Sequence, residues 1–281
     1  CSYCYARPSH SYLSLSPGLD FEQKLIAKTN LPDLLRQELA SPRYQPLALA
    51  LGTVTDAYQP IERKLGLTRQ LIEVLAACRH PFSLVTKGSA IERDIDLLAT
   101  MAQHGGVAVY VTLTTLSPVL ARQLEPRAAS PARRLRLIRQ LSEAGIPVGV
   151  SLAPQIPFLN EDMEACLEAA RDAGAQRAFY AILRLPWELA PLFRQWLQQH
   201  YPQRAERIMA RVQEMRGGKD YDATFGQRQR GRGIWSDLLA QRFDKACHRL
   251  HFDSKRFELD ASRFQRPVLN GQQNLFSDGN A

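Results

Sequence analysis

Five short runs along the chain, PLALALGT (46–53), FSLVTK (82–87), VAVYVTLTT (107–115), PVGVSLAPQI (147–156) and RAFYAILRL (177–185), are apolar on both faces of an extended backbone. That pattern predicts strands buried in a parallel sheet. Between the runs the apolar spacing becomes helical. Ser89 followed by Glu92, at the head of IERDIDLLATMA, has the form of a capping box, and Ser130-Pro131 before ARRLRLIRQLSEAG offers an N-cap with proline at the first helical position. Gly145 and Gly174 fall just past RQLSEA and EAARDA, where a glycine closes a helix. Strand–helix units of roughly 25–40 residues imply a parallel α/β architecture, either an open sheet or a full or partial barrel.

Beyond residue 187 the strand pattern stops. WELAPLFRQWLQQH places Leu189, Leu192, Phe193, Trp196 and Leu197 on one helical face, as core packing requires. An Arg-rich helix, PQRAERIMARVQEMRGG, follows, then the Gly- and Arg-punctuated GGKDYDATFGQRQRGRG and a last amphipathic helix, IWSDLLAQRFDKACHRL. From residue 252 periodicity is low, and NGQQNLFSDGNA reads as a disordered tail. The expected division is a strand–helix core over 1–187, a helical extension over 188–251 and a tail over 252–281.

Composition narrows the class. With 281 residues and 45% hydrophobic content the chain can build one large core. No apolar run reaches the roughly 18 residues a membrane span needs, and no charged-then-apolar leader opens the sequence. A net charge of +8 favours an anionic partner or substrate. Five cysteines, one close pair and the singletons Cys78, Cys166 and Cys247, do not make a disulfide framework, so a reducing cytoplasm is expected. The singletons sit in helical stretches, where a free cysteine acts as a small buried hydrophobe.

Polar residues gather where each apolar run ends: Gly52 to Asp56, Thr86-Lys87, Thr112 to Thr115, Ser151 to Gln155, and Arg184. Threonine and serine also end strands for purely local reasons. Five such clusters in succession favour a site, because active sites of parallel α/β folds lie at the carboxyl ends of the strands.

The chain opens on CSYCYARPSH, with Cys1 and Cys4 in a C-x-x-C spacing. A thioredoxin-type dithiol would begin a helix after a strand, which Tyr5-Ala6-Arg7-Pro8 does not. Structural zinc would need a second ligand pair; His10, Cys78 and His80 are available, but no second C-x-x-C or spaced histidine pair occurs. The third possibility rests on resemblance. C-S-Y-C-Y-A-R-P resembles the last two cysteines of the C-x3-C-x-aromatic-C loop of the radical S-adenosylmethionine (SAM) enzymes. CYARPSHSYLSLSPGLDFEQKLIAK, LGTVTDAYQPIE, LVTKGS, LEPRAASPARRL and EAGIPVGVSLAPQIPFLNE resemble, in order, the spore photoproduct lyase-like branch of that superfamily. The likeness continues through YAILRLPWELAPLF and RGGKDYDATFG in a bacterial group within the branch.

The resemblance implies a partial (β/α)6 TIM-like barrel with a helical C-terminal extension, its first strand and first cluster cysteine preceding residue 1. It implies a [4Fe-4S] cluster bound by Cys1, Cys4 and that upstream cysteine, with one iron left open to chelate SAM. Reductive cleavage of SAM would then yield a 5′-deoxyadenosyl radical that abstracts hydrogen from a substrate. An electron donor such as flavodoxin or ferredoxin would be required, and with only two of three ligands the present chain would bind a cluster weakly. Tyr3 would pack near the adenine. Gly52, Thr53, Thr55 and Asp56 would form the turn that receives the methionine ammonium, Lys87 would pair with its carboxylate, Thr112 or Thr114 would face the ribose hydroxyls, and the backbone of SLAPQIP would line the adenine.

One departure bears on the reaction. The hydrogen-donor cysteine of spore photoproduct lyase aligns with Thr53, whose O–H bond is too strong to quench a carbon radical, so thymine-dimer reversal by that route is disfavoured. Glu125-Pro126-Arg127 and Arg133-Arg134 read as a solvated helix entrance, or as groups by which Glu125 or Arg127 positions SAM or an anionic substrate. Two rival functions remain open: a zinc- or thiol-dependent α/β enzyme using Cys1 and Cys4, and a nucleic-acid-binding protein in which Arg228, Arg230 and Arg232 alternate with Tyr221, Phe225 and Trp235. Nucleic acid as the substrate would join the second of these to the radical chemistry.

Overall fold

All five apolar runs form strands, and the strands pair in chain order. β1 (Leu49–Leu51), β2 (Phe82–Thr86), β3 (Val107–Thr112), β4 (Val148–Gln155) and β5 (Arg177–Ile182) make one parallel sheet of order β1-β2-β3-β4-β5. The structure is a computed structural model and describes residues 1–253, 255 and 257–269. α1 (Leu19–Gln23) and α2 (Leu31–Ala40) precede β1. α3 (Glu62–Leu65) and α4 (Leu67–Ala77) lead to β2, α5 (Ile95–Ala102) to β3, α6 (Pro118–Leu124) and α7 (Pro131–Glu143) to β4, and α8 (Met163–Asp172) to β5. α9 (Leu189–His200), α10 (Pro202–Glu214) and α11 (Ile234–Arg249) complete the chain's helices among the described residues. Sequential parallel order with crossovers of one hand sets the connecting helices on one face and curves the sheet into an open arc, the expected partial barrel with five strands.

The convex face carries the core. Val107, Val109 and Val111 of β3 share a buried cluster with Leu98 of α5 and Leu137 and Leu141 of α7. The local signals that end these helices behave as the sequence predicts: the Ser130 hydroxyl accepts from the Arg133 amide at 3.3 Å, and Gly145 and Gly174 take φ of 73° and 103° just beyond α7 and α8. The Ser89–Glu92 capping box does not form. Ser89 lies inside a 3-10 turn over Ser89–Asp94, because Glu92 reaches Arg133 at 2.5 Å and Asp94 is drawn into a buried network with Tyr58, Arg69 and Arg93.

The concave face is closed from below. Register places Val85, Tyr110, Gly149 and Arg177 side by side across β2 to β5. The Tyr110 ring lies over Gly149, where a Cβ would sit 2.5 Å from a ring carbon, and meets Phe179 at 5.1 Å and Phe257 at 5.6 Å between centroids. The Arg177 guanidinium covers Phe257 at 4.8 Å. Phe257 arrives on a strap that crosses the amino ends of the strands: Asp253 donates to Gln176 O before β5, Asp260 to Gly105 O before β3, and Gln265 to Cys78 O before β2. Arg266 reaches the carbonyls of Leu39 and Tyr44 before β1. The strap has no helix, in keeping with its low periodicity; the stretch read as a disordered tail, 270–281, lies outside the described residues.

α9 and α10 sit at the opposite end. Their Leu189, Phe193, Leu197 and Ile208 share a second buried cluster with Leu124 of α6 and with Tyr3, so the helical extension packs directly against the cysteine loop. Because a Cβ on Gly149 would press into the Tyr110 ring at 2.5 Å, Gly149→Ala is expected to lower unfolding free energy by about 1–3 kcal/mol, measured by urea denaturation, and Tyr110→Leu in the same chain should recover part of the loss.

Candidate active site

The opening motif is a tight turn. The Cys4 amide donates to Cys1 O at 3.3 Å, and the buried Arg7 grips the same carbonyl through Nε at 3.2 Å and Nη2 at 3.1 Å while its Nη1 holds the carbonyls of Pro17 and Gly18. Cys1 is exposed and Cys4 half-buried; all five cysteines are free thiols.

This turn lies across the carboxyl ends of the sheet. The Ser2 amide donates to Leu124 O at 3.1 Å, and the Tyr3 hydroxyl donates to Glu125, both past β3. The Tyr5 hydroxyl donates to Thr53 O, past β1. The Lys87 ammonium, past β2, lies 5.8 Å from the Tyr3 ring centroid, and the Arg184 guanidinium, past β5, lies 4.0 Å from that of Tyr5. The one mouth expected from the strand-end polar clusters therefore exists, with the cysteine turn as its roof.

Beneath Tyr3 is a buried ionic knot. Oε1 of Glu125 accepts from the Tyr3 hydroxyl and, at 2.6 Å, from Thr114 Oγ1; Oε2 accepts from Arg134. Arg134 is 1% exposed and donates its remaining groups to Thr112 O at 3.0 Å and Ala129 O at 2.8 Å. Burial opposes ionisation of Glu125, but Arg134, Lys87 and the hydroxyls of Thr114 and Tyr3 outweigh it and hold the carboxyl below its ordinary range. Burial and then the Glu125 charge push the Tyr3 phenol well above its ordinary value. The solvated helix entrance expected over 125–134 is thus corrected: Glu125 and Arg134 are sealed because each satisfies the other, while Arg127 reaches out to Glu22 O at 2.8 Å.

The other expected residues fall as follows. Gly52, with φ of 79°, passes so close to β2 that a Cβ would meet Val85 O at 2.2 Å, so only glycine fits. Asp56 clamps that turn to the end of β2, accepting from Thr86 Oγ1 at 2.7 Å, the Tyr58 amide at 2.9 Å and the Lys87 amide at 2.7 Å. Thr53 and Thr55 are exposed. Thr112 is buried in register with Ser151 and, one strand on, Phe179, whereas the Thr114 hydroxyl is committed to Glu125. The backbone after β4 is already engaged: Asn160 donates to Pro154 O at 2.9 Å and accepts from the Ile156 amide at 2.7 Å, and Leu183 donates to Gln155 O at 3.0 Å. Tyr5, Arg134 and Asn160 are the site residues that sequence reasoning missed; only Tyr5 had a signal, its place directly after Cys4.

Two adjacent thiols on a turn over the strand ends suit iron–sulfur ligation, whose donors are thiolates. Among the described residues no group of three or more His, Cys, Asp or Glu stands ready to hold a metal ion. The zinc alternative finds no tetrahedral set here either. His10 is bonded to Lys24 O at 3.0 Å, and Cys78 and His80 lie at the amino end of β2, His80 bonded to Tyr44 at 2.7 Å.

A parallel α/β sheet with a thiol turn across its carboxyl ends defines the class of fold to which this chain belongs. The radical SAM superfamily profile matches residues 1–170, and the chain belongs to that superfamily. It is 37% identical over 210 residues to an uncharacterised protein of Mycobacterium tuberculosis, spanning 74% of this chain and 62% of the relative, and 27% identical over 208 residues to one of Methanocaldococcus jannaschii, spanning 74% of each. In fold it is similar to spore photoproduct lyase complexed with dinucleoside spore photoproduct, with a TM-score of 0.60 at 14% identity over 89% of this chain and 70% of that one. A spore photoproduct lyase mutant with bound AdoMet and dinucleoside spore photoproduct superposes with a TM-score of 0.56. No helix among the described residues is long and apolar enough to cross a membrane.

Removing one half of the Glu125–Arg134 pair strands the other. Glu125→Leu is expected to cost about 3–5 kcal/mol. The folded carboxyl lies below its unfolded value, so its contribution is complete above the unfolded value of about 4.3 and fades as pH falls through the folded one. Denaturation midpoints at pH 6 and pH 3.5 should therefore drop more steeply in the parent protein than in a Glu125→Leu/Arg134→Leu variant.

Proposed function

We propose that the protein is a radical SAM enzyme whose [4Fe-4S] cluster is held in part by Cys1 and Cys4, and which removes a hydrogen atom from its substrate. The observation that supports this most is the cysteine turn itself, set across the carboxyl ends of the strands with Lys87 beside it. When bound, the cluster and SAM supply one-electron chemistry, with flavodoxin or ferredoxin as the electron source. Cys1 and Cys4 offer thiolates, and Tyr3 and Leu124 keep water from the underside of the turn. Lys87, with no carboxylate in ion-pair distance among the described residues, pairs with the methionine carboxylate. The backbone and hydroxyls of Gly52 to Asp56 receive the ammonium, the rigid Asp56 clamp fixing where they point. Thr112 and Thr114 line the ribose side, Thr112 with its hydroxyl and Thr114 by fixing Glu125.

After anaerobic treatment with iron and sulfide and chemical reduction, a chain extended upstream to include the third cysteine should retain iron and release 5′-deoxyadenosine from SAM, and Cys4→Ala in that longer chain should lose both. Iron retention and nucleoside release in Cys4→Ala equal to the parent would overturn the assignment. Lys87→Met should weaken SAM binding by about tenfold, the loss of roughly 1.4 kcal/mol, read by equilibrium dialysis.

A second observation favours nucleic acid as the substrate. A cleft of about 380 Å³ opens beside the cysteine turn between Tyr5, Arg184, Trp187, Tyr221 and Arg228. Trp187 is 67% exposed and Phe225 87% exposed, with the Arg228 guanidinium 5.5 Å from the Phe225 centroid. Exposed aromatic faces interleaved with arginines stack bases and neutralise phosphates. Single-stranded DNA or RNA should bind with an affinity that falls steeply with salt, and Arg184→Ala and Arg228→Ala should each reduce the slope by about one. Fluorescence anisotropy across a salt series measures it, and salt-insensitive binding would count against this substrate.

A further inference from the structure

Glu125 is an acidic side chain with no exposed surface, fixed by three neighbours, at the centre of a mouth that the proposed chemistry fills with other residues. Its Oε2 and the charge it carries are answered by Arg134. Its Oε1 does something else: it takes a hydroxyl from each side, Thr114 from the sheet and Tyr3 from the cysteine turn. Tyr3 stands between Cys1 and Cys4 in sequence, and the residue as a whole is only 7% exposed. On the β1 side the turn is anchored by the Tyr5 hydroxyl on Thr53 O; toward β3 its side-chain anchor is Tyr3. Ser2 has one backbone bond to Leu124, the residue next to Glu125, and the Ser2 hydroxyl is buried without a partner. Arg7 orders the turn internally and ties it to the segment over residues 17–22, but does not fasten it to the sheet.

We propose that Glu125 is a positioning residue for the cysteine turn: through the Tyr3 hydroxyl it holds Cys1 and Cys4 over the strand ends, with Arg134 fixing the carboxylate at the end of β3. The inference rests on the reading of Cys1 and Cys4 as cluster ligands, and it adds that their placement is set by a residue more than 120 positions away in sequence, across 122 intervening steps of chain. A pair of thiols on a loop must be held to within a fraction of an ångström of a working geometry if a cluster is to leave one iron facing its ligand. Second-layer hydrogen bonds are the usual means of doing so.

The test uses the whole chain without iron and without SAM. The rate at which a thiol reagent labels the half-buried Cys4 is followed by mass spectrometry of the digested protein, with Cys78 and Cys166, both buried, as internal reporters that the fold is intact. Tyr3→Phe, which keeps the ring and removes the hydroxyl, should speed Cys4 labelling roughly 3- to 10-fold, the factor that one net hydrogen bond confers, while Cys78 and Cys166 stay protected. Thr114→Val, which removes the other hydroxyl on the same oxygen but keeps the Tyr3 tether, should speed labelling clearly less than Tyr3→Phe does. Glu125→Gln, which retains an acceptor oxygen, should label more slowly than Glu125→Ala. If the Glu125 variants do not fold, Tyr3→Phe against Thr114→Val decides alone. Equal Cys4 rates in Tyr3→Phe and the parent, or equal acceleration by Thr114→Val, would overturn the proposal. Nucleoside release by the parent protein is a separate measurement, so this tether can fail while the radical chemistry stands, and the reverse.

Discussion

A buried carboxylate facing a buried guanidinium organises the mouth of this protein. Neither Glu125 nor Arg134 could be sealed alone, because the cost of an unpaired interior charge runs to several kcal/mol. Together they bring three elements to one point: the end of β3 through Thr112 and Thr114, the start of α7 through Arg134, and the cysteine turn through Tyr3. Lys87 stands just outside the pair, so the mouth keeps a cation that the carboxylate does not consume. A rim with that balance suits anionic ligands, in line with the positive charge of the whole chain.

The open arc raises a problem that a closed barrel does not have, since its concave face would otherwise be wet from both ends. Different parts of the chain address it at each end. At the carboxyl ends the cysteine turn and α9 and α10 form a lid with its own apolar cluster. At the amino ends Tyr110, freed to lie flat by Gly149, and Phe257 from the strap form a floor. Between floor and lid Thr112, Ser151 and Phe179 lie side by side across β3 to β5, and the cleft at Trp187 opens beside the cysteine turn.

Much of this was legible in the sequence because it rests on local rules. Doubly apolar runs locate all five strands, and Ser130-Pro131, Gly145 and Gly174 mark helix ends, since caps and left-handed glycines depend on a few adjacent residues. The cysteine loop was legible through its spacing and the motifs that follow it. What was hidden depends on which residues meet across long separations. Ser89 and Glu92 carry a capping pattern, yet Glu92 has a better partner in Arg133, 41 residues on. Glu125 and Arg134 look like surface charges until the fold lays Tyr3 over them. Asn160 carries no signal at all, although its amide ties the turn after β4 to Thr114 O.

The strap has a consequence for how the molecule comes to be. Arg266 closes onto Leu39 across 227 residues, and Gln265 and Asp260 close onto the segments entering β2 and β3. Contacts of such separation carry a large loop-closure cost and form late in folding. During synthesis from the amino terminus, the lid-side cluster and the strands can assemble while the strap is still inside the ribosome. The lid side can therefore close before the strap does, and until residues 253–269 emerge the Tyr110 floor lacks Phe257 and the amino ends of the strands stay uncovered.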